Sequence, residues 1–171
     1  MQDFLTLAHE RYSCRQFSQK PIEQGKLDRV LEAAVAAPTG CNYQPWHAWV
    51  VTDELSLKVV RASTRCHFDA PTIIILGSKA EEAWTRKFDG LNVADIDATI
   101  AGTHLMLEAH DLGLGTTWVA YFNPAVIQEA FPQTRGYNLV GIFPIGYPAE
   151  NAKPADLHHK SKPASELVSY L

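Results

Sequence analysis

The stretch Thr72-Ile73-Ile74-Ile75-Leu76 decides the fold, because it predicts a β-strand that is apolar on both of its faces. A strand of this kind is covered on both sides and lies inside its sheet. Pro71 precedes the stretch, at a strand end where a missing N–H is tolerated. The sequence therefore predicts a buried central strand around which the other elements are arranged.

Helical periodicity flanks this strand on both sides in the chain. Pro38 ends the first helix, Gly113 supplies a left-handed stop to the longest one, and Asn123-Pro124 forms a cap followed by a first-turn proline. The longest helix is apolar nearly all round, which predicts burial on most of its sides. The predicted helices cover residues 27–35, 55–65, 95–112 and 124 to about 131.

Further strands are predicted where short runs of β-branched and aromatic residues occur. These strands cover residues 47–51, 116–120 and 139–143. Helices and strands follow one another without a regular β-α-β repeat, which favours an α+β sandwich. A chain of 171 residues fits one domain over residues 1–171.

Residues 149–169 differ from the rest of the chain. They are polar, they contain Pro154 and Pro163, and few of them can be buried. They form either a disordered tail or an arm that packs on something outside its own core.

Composition excludes several classes of protein. A formal net charge of -4 argues against a nucleic-acid binder, which usually has a basic face. No apolar run approaches the ~20 residues that span a membrane, and the first ten residues lack a secretion-signal pattern, so a cytoplasmic location is expected. Cys14, Cys41 and Cys66 form no C-x-x-C pair, and the histidines show no regular spacing, so free thiols and no metal site are expected.

The segment Arg11-Tyr12-Ser13-Cys14-Arg15-Gln16-Phe17 carries two guanidinium groups and a hydroxyl within five residues. Alternate residues of an extended chain share a face, so Arg11, Ser13 and Arg15 can converge on one phosphorylated ligand. The alternative is that both arginines are surface charges beside an N-terminal helix.

The segment Ala37-Pro38-Thr39-Gly40-Cys41-Asn42-Tyr43-Gln44-Pro45-Trp46 predicts a second binding loop. Asn42 and Gln44 carry both donors and acceptors, which suits the edge of a flat heterocycle. We expect Cys41 to be a small filler and Trp46 to lie in the core. Three residues let the backbone approach a ligand closely: Pro38, Thr39 and Gly40.

Gly113-Leu114-Gly115 does not indicate a dinucleotide-binding fold. The pair of glycines follows a helix where that motif requires a strand, and no third glycine completes it.

Taken in order, four segments resemble the nitroreductase family of flavin enzymes. They are Arg11-x-Ser13-x-Arg15-x-Phe17, the loop of residues 38–46, the helix and strand of residues 95–118, and Lys160-Ser161-Lys162-Pro163. The resemblance implies an α+β fold with a central mixed or antiparallel sheet flanked by helices. It also implies an interlocked homodimer with two FMN molecules at the interface and with residues 149–171 packed on the partner subunit.

The resemblance implies a set of FMN contacts and no catalytic side chain. One arginine and Ser13 would bind the phosphate, the other arginine would lie beside the pyrimidine edge, and the loop of residues 38–46 would reach across from the partner subunit. Ala120 and Tyr121 would face the flavin N5, and two lysines of the tail would close on the phosphate. The implied contacts are Arg11, Tyr12, Ser13, Arg15, Pro38, Thr39, Gly40, Asn42, Gln44, Ala120, Tyr121, Lys160 and Lys162.

The implied activity is ping-pong hydride transfer from NADH or NADPH through FMN to a nitroaromatic, a quinone or a similar acceptor. Other functions stay open: a flavin-binding protein without turnover, a dehalogenase or oxidase within the family, and a protein that binds another phosphate ester. Tyr121 stands where many relatives have glycine, and the short span between Leu76 and Asp95 leaves little room for a lid. Three aromatic residues either form part of a substrate wall or pack internally: Phe68, Trp84 and Phe88.

Overall fold

The computed structural model describes residues 3–171, so the first two residues of the predicted domain lie outside it. The helices are α1 (Phe4–Glu10), α2 (Gln24–Val35), α3 (Glu54–Ser63), α4 (Ala94–Asp111), α5 (Pro124–Ala130) and α6 (Ala164–Leu167). The strands are β1 (Trp46–Val51), β2 (Thr72–Ser78), β3 (Gly115–Thr116) and β4 (Asn138–Gly146). Short 3₁₀ turns cover Gly40–Asn42, Ala80–Glu82, Pro132–Thr134 and Asp156–His159.

The sheet has the strand order β1-β2-β4-β3, and the three neighbouring pairs of strands are antiparallel. Every residue of β2 is buried, as the apolar run from Thr72 to Leu76 predicts for a strand inside its sheet. The α+β class and the antiparallel central sheet flanked by helices are thus confirmed.

Alternation along β2 and β4 sends apolar side chains to both faces of the sheet. On one face, Ile74 and Phe143 pack with α2 and α4. On the other face, Ile73, Ile75 and Ile142 pack with the residues of α3 and α5. Two cores therefore fix the sheet between two layers of helices.

Helix α4 lies against the first face and is the longest helix in the described part of the chain. An added Cβ at Gly102 would lie 2.8 Å from Cζ of Phe143, so the glycine allows the helix to approach β4 closely. The predicted burial of this helix on most sides is only partly correct, because Ile96 is 48 % exposed. Gly113 has a φ of +75° and ends the helix as its sequence position predicts.

The strand predicted over residues 116–120 is wrong in extent. β3 ends at Thr116, and pairing with β4 resumes only at Val119, opposite Ile142. Between these two points the indole of Trp118 packs across Gly141, where an added Cβ would lie 2.5 Å from Nε1. The Trp118 ring occupies the space beside Gly141, and the pairing with β4 is interrupted at this point.

Within residues 3–171, no helix is long and apolar enough to cross a membrane. The cytoplasmic location stays a prediction. The tail begins with an isolated bridge between Phe17 and Pro148, and residues 159–171 are exposed throughout.

Candidate functional site

The segment that carries the two arginines lies along the edge of the sheet. Ser13 forms a parallel bridge with Thr116, and the N–H of Cys14 donates to the Thr116 carbonyl at 3.1 Å. Cys14 is fully buried, whereas Arg15 is exposed and donates from Nη1 to the Ser13 carbonyl at 3.1 Å. The segment is therefore extended, and Arg11 precedes it directly after α1.

The parallel direction of this pairing orders the side chains along the edge. Arg11 lies toward the end of α4, where it lines a cavity of about 160 Å³ together with His110 and Gly113. Arg15 lies between the Ser13–Thr116 bridge and the bridge of Phe17 with Pro148, where the Ala149 N–H donates to the Gln16 carbonyl at 3.0 Å. The two arginines are thus placed at different points along one edge.

The polar groups at the Arg11 end are available to a ligand. Neither the Arg11 guanidinium nor the Ser13 hydroxyl has a hydrogen-bond or ion-pair partner in the described part of the chain. The pKa of the nearby His110 is lowered mainly because burial disfavours its charged form, while Glu10 raises it and Arg11 lowers it further. Arg11 is therefore the cation of this cavity near pH 7.

The tail passes close to the same segment. The rings of Tyr12 and His158 meet edge-on, with centroids 6.4 Å apart, beside a cavity of about 530 Å³. His158 is half-buried there. Lys160 and Lys162 follow it on the exposed part of the tail, and Lys162 lies 3.8 Å from the Glu166 carboxylate.

The second segment forms a tight loop with unusual backbone geometry. Cys41, Asn42 and Gln44 have left-handed φ values of 51°, 56° and 52°. Backbone in sparsely populated regions costs about 1–3 kcal/mol per residue and is found preferentially at functional sites. Cys41 is exposed, so the prediction that it is a small filler is wrong.

Hydrogen bonds hold this loop and orient its amides. The Gln44 N–H donates to Oγ1 of Thr39 at 3.0 Å, and the Gln44 side chain donates to Oδ1 of Asn42 at 3.0 Å. The Asn42 amide nitrogen and the Gln44 amide oxygen then have no partner within residues 3–171. The loop therefore presents one donor group and one acceptor side by side, next to the exposed Pro38.

Asp97 anchors the loop, and sequence reasoning missed it. Its Oδ1 accepts the Gly40 N–H at 3.0 Å, while its Oδ2 is buried without a hydrogen-bond partner. The carboxylate is only 3 % exposed. Gly40 sits tightly here, because an added Cβ would lie 3.0 Å from Val93 and 3.2 Å from Trp84. The signal in the sequence is an acidic residue on the buried face of an otherwise apolar helix.

The two candidate segments lie at opposite ends of α4. The loop is bonded to Asp97 in the first turn of this helix, and the Arg11 segment shares a cavity with His110 in its last turn. Thirteen residues of helix separate these two anchors, which corresponds to about 20 Å. Within one chain the structure does not bring the two segments together.

Ala120 and Tyr121 are exposed after the interrupted strand, beside a cavity of about 450 Å³. The Thr64 hydroxyl donates to the Tyr121 carbonyl, and the Asn123 N–H donates to the Ser63 carbonyl at 2.8 Å. These bonds fix the backbone of the segment, while the Tyr121 side chain stays 65 % exposed.

A model of the nitroreductase family matches residues 8–67 and 63–147 of the chain. The chain belongs to the nitroreductase family. A nitroreductase family protein of Clostridium difficile 630 is 37 % identical with a TM-score of 0.91, over 99 % of this chain and 98 % of that one. A Methanothermobacter thermautotrophicus protein with the provisional name NADH dehydrogenase/NAD(P)H nitroreductase is 30 % identical, over 91 % of this chain and 82 % of that protein.

A third relative has a name that includes a cofactor. It is an FMN-dependent nitroreductase of Clostridium difficile R20291, which is 27 % identical with a TM-score of 0.75, over 93 % of this chain and 98 % of that one. The family resemblance read from the sequence is confirmed.

The aromatic residues of this nitroreductase-family chain differ in their surroundings. Phe68 is half-buried and packs on the core beside α3 and α5. Phe88 is 98 % exposed, and half-buried Trp84 lies against the Gly40 loop. Trp84 is therefore the aromatic side chain of the three that borders the candidate flavin loop.

Proposed function

We propose that the chain is an FMN-dependent oxidoreductase that takes electrons from NADH or NADPH and passes them to a nitroaromatic, a quinone or a similar acceptor. Bound FMN supplies the hydride chemistry at its N5. The side chains of the protein supply binding, orientation and charge, and no acid–base residue is required. The names of the relatives support this proposal, and so does the arrangement of the candidate residues.

One observation carries the proposal. The Arg11 segment and the Gly40 loop are each built to bind a ligand, yet about 20 Å of α4 separates their anchors. Each segment is one half of a flavin site, and a homodimer completes two such sites when the loop of one subunit meets the Arg11 segment of its partner. This arrangement is isologous, since both subunits use the same surfaces.

The Arg11 end suits the phosphate of FMN. An arginine fork and a hydroxyl that have no partner among residues 3–171 match phosphate oxygens in number and charge. Lys160 and Lys162 lie on the exposed tail that follows the contact between Tyr12 and His158, so the tail can supply further cations.

The Arg15 end suits the ring. Arg15 is exposed two residues beyond Ser13 in the same segment, and by the family resemblance its positive charge would lie beside the pyrimidine edge, where negative charge accumulates on reduction. The donor of Asn42 and the acceptor of Gln44 would meet the edge of the ring from the partner's loop.

An apolar groove supports the second subunit. A cavity of about 560 Å³ lies between α1, α2 and α4, with Phe4, Ile100 and Leu107 among its lining residues. Phe4 is 67 % exposed and Val35 is 62 % exposed. Exposed apolar surface of this kind is typical of an interface between subunits. The tail of residues 149–171, most of which is exposed, would add to the same contact.

The dimer and the cofactor are tested together on the full chain. Size-exclusion chromatography with light scattering should show a dimer, and the absorption spectrum should show about one FMN per chain. A colourless protein that does not take up added FMN would overturn the proposal and favour another phosphate ester. A folded, FMN-loaded monomer would refute the two-chain site.

Turnover separates the enzyme from a flavin-binding module. Steady-state oxidation of NADH and of NADPH with a quinone or a nitroaromatic acceptor should be saturable in both substrates and should give parallel double-reciprocal lines. Stable FMN binding without NAD(P)H oxidation would favour the non-catalytic alternative.

The variant Arg15→Ala tests the assigned ring contact. Loss of a charged hydrogen bond is expected to weaken FMN binding by about tenfold or to lower the reduction potential of the bound flavin. The exposed Lys58→Ala is the control for loss of one positive charge. Unchanged FMN affinity and an unchanged hydride-transfer rate in Arg15→Ala would remove the role given to Arg15.

A further inference from the structure

Arg65 lies against the ring that is predicted to border the reactive face of the flavin. Its guanidinium carbon is 5.1 Å from the centroid of the Tyr121 ring, within the range of a cation–π contact. Tyr121 is 65 % exposed, and Arg65 is exposed as well. The pair therefore forms an accessible surface made of one planar ring and one fixed positive charge.

The backbone on both sides of this pair is held in place. The Thr64 hydroxyl accepts the Cys66 N–H at 3.0 Å and donates to the Tyr121 carbonyl. Ser63 and Thr64 are each only 7 % exposed. Arg65 thus projects from an ordered segment that is bonded to the segment of Tyr121, and this arrangement limits the entropy lost when the guanidinium binds a ligand.

The charge of Arg65 has no ion-pair partner in the described part of the chain. Among residues 3–171, no carboxylate lies within ion-pair distance of its guanidinium. The carboxylate of the neighbouring Asp69 lies 3.3 Å from Nδ1 of His67, and this nitrogen accepts the Asp69 N–H at 3.1 Å. Arg61, the other arginine of this region, is used internally in an ion pair with Glu54.

We infer that the Arg65–Tyr121 pair determines substrate specificity by recognising an anionic group on the molecule that binds over the flavin. The inference rests on the proposed function, because it takes Ala120 and Tyr121 to border the flavin N5. A substrate ring that stacks on the flavin would lie beside Tyr121, and an attached carboxylate or phosphate would meet the planar fork of Arg65. Such an anion has two sources: a carboxylate on the electron acceptor, or the extra phosphate of NADPH that NADH lacks.

The experiment uses the FMN-loaded protein and matched pairs of substrates. KM and kcat are measured for the wild type, Arg65→Gln, Arg65→Lys and the control Lys58→Gln. Each protein is assayed with para-nitrobenzoate and with para-nitrobenzamide, and then with NADPH and with NADH. Lys58 is exposed and does not line the cavity beside Tyr121. Flavin content and the unfolding midpoint are measured for each protein, so that a loss of FMN or of stability is seen separately.

Arg65→Gln is expected to raise KM about tenfold for nitrobenzoate or for NADPH, the size of effect that a charge-assisted hydrogen bond produces. KM for the matched substrate that lacks the recognised group (nitrobenzamide or NADH), kcat and flavin content should change less than about twofold, and Arg65→Lys should restore part of the preference. A rise in KM for nitrobenzoate alone would show that Arg65 binds an anion on the electron acceptor. A rise in KM for NADPH alone would show that it binds the extra phosphate of the electron donor.

The inference would be overturned if Arg65→Gln changed KM equally for both members of each pair, or if it changed KM in neither pair. Both results can occur in a protein that is yellow and turns over. A wild-type protein without FMN would instead fail the proposed function. The two failures are therefore distinguishable.

Discussion

The buried carboxylate of Asp97 is expected to control FMN affinity through the backbone that it holds. In Asp97→Ala the Gly40 N–H loses its charged acceptor, a hydrogen bond of 3.0 Å. Hydrogen bonds to charged groups contribute about 1.5–3 kcal/mol. The loop includes three residues with left-handed φ, so without this anchor it is expected to relax away from its binding geometry.

If the whole of this energy is required to form the binding loop, the dissociation constant of FMN rises about 10- to 150-fold, at 1.4 kcal/mol per factor of ten. The assay is a titration of deflavinated protein with FMN, followed by quenching of flavin fluorescence. Urea unfolding of the FMN-free protein gives the stability of the same variant, so the two effects are measured separately.

Asp95→Ala is the matched control on the same helix. The Asp95 carboxylate accepts hydrogen bonds from Asn138 at 3.0 Å and from the Ser78 hydroxyl, and it makes no bond to the Gly40 loop. Its loss should lower the free energy of unfolding while FMN affinity stays within about twofold of wild type. If Asp97→Ala binds FMN as tightly as Asp95→Ala does, the reasoning about the anchor is refuted.

Two further predictions concern stability. Gly115→Ala should cost about 1–3 kcal/mol in urea unfolding and weaken FMN binding, because the new Cβ would lie 2.7 Å from Cβ and Sγ of buried Cys14. In Gly25→Ala the new Cβ has no neighbour within 4 Å, so the substitution should stabilise α2 by up to about 1 kcal/mol. Equal stabilities of Gly115→Ala and Gly25→Ala would contradict this reasoning. The pKa of Glu23 is lowered from 4.5 to about 2, mainly by the hydrogen bond that Tyr147 donates to it. The ionised carboxylate therefore stabilises the fold above pH 4.5, and this contribution is lost as the pH falls toward 2. The free energy of unfolding of Tyr147→Phe should therefore be lower than that of the wild type at pH 7, and it should fall less between pH 4.5 and 2. If the wild type and the variant show the same dependence of unfolding free energy on pH, the effect is excluded.

The fold could be predicted from the sequence where local chemistry and burial agree. The apolar run from Thr72 to Leu76 predicts an interior strand, and β2 is buried throughout. Gly113 ends α4 with positive φ, and the Asn123 side chain accepts the Ala125 N–H as a helix cap. Each of these features depends on neighbours in the chain, so a single sequence contains enough information.

Features that depend on distant residues could not be predicted in the same way. The strand expected over residues 116–120 is interrupted because Trp118 packs on Gly141, a contact that periodicity does not reveal. Asp97 is a polar exception on a buried helix face, and its partner Gly40 lies in a different segment. The contact between Arg65 and Tyr121 has no sequence signal, because the two residues are far apart in the chain.

The arrangement of the candidate site also explains why its residues are recognisable in the sequence although one chain does not assemble them. Arg11 and Ser13 are ordered by the sheet edge, and Asn42 and Gln44 by the loop on α4, so each half of the candidate site is held by contacts within one chain. Because α4 holds the halves about 20 Å apart, a substitution in the groove that contains Phe4 and Leu107 should weaken FMN binding without touching either half. Flavin affinity would then depend on protein concentration in the range where the dimer dissociates, whereas a site within one chain would show no such dependence.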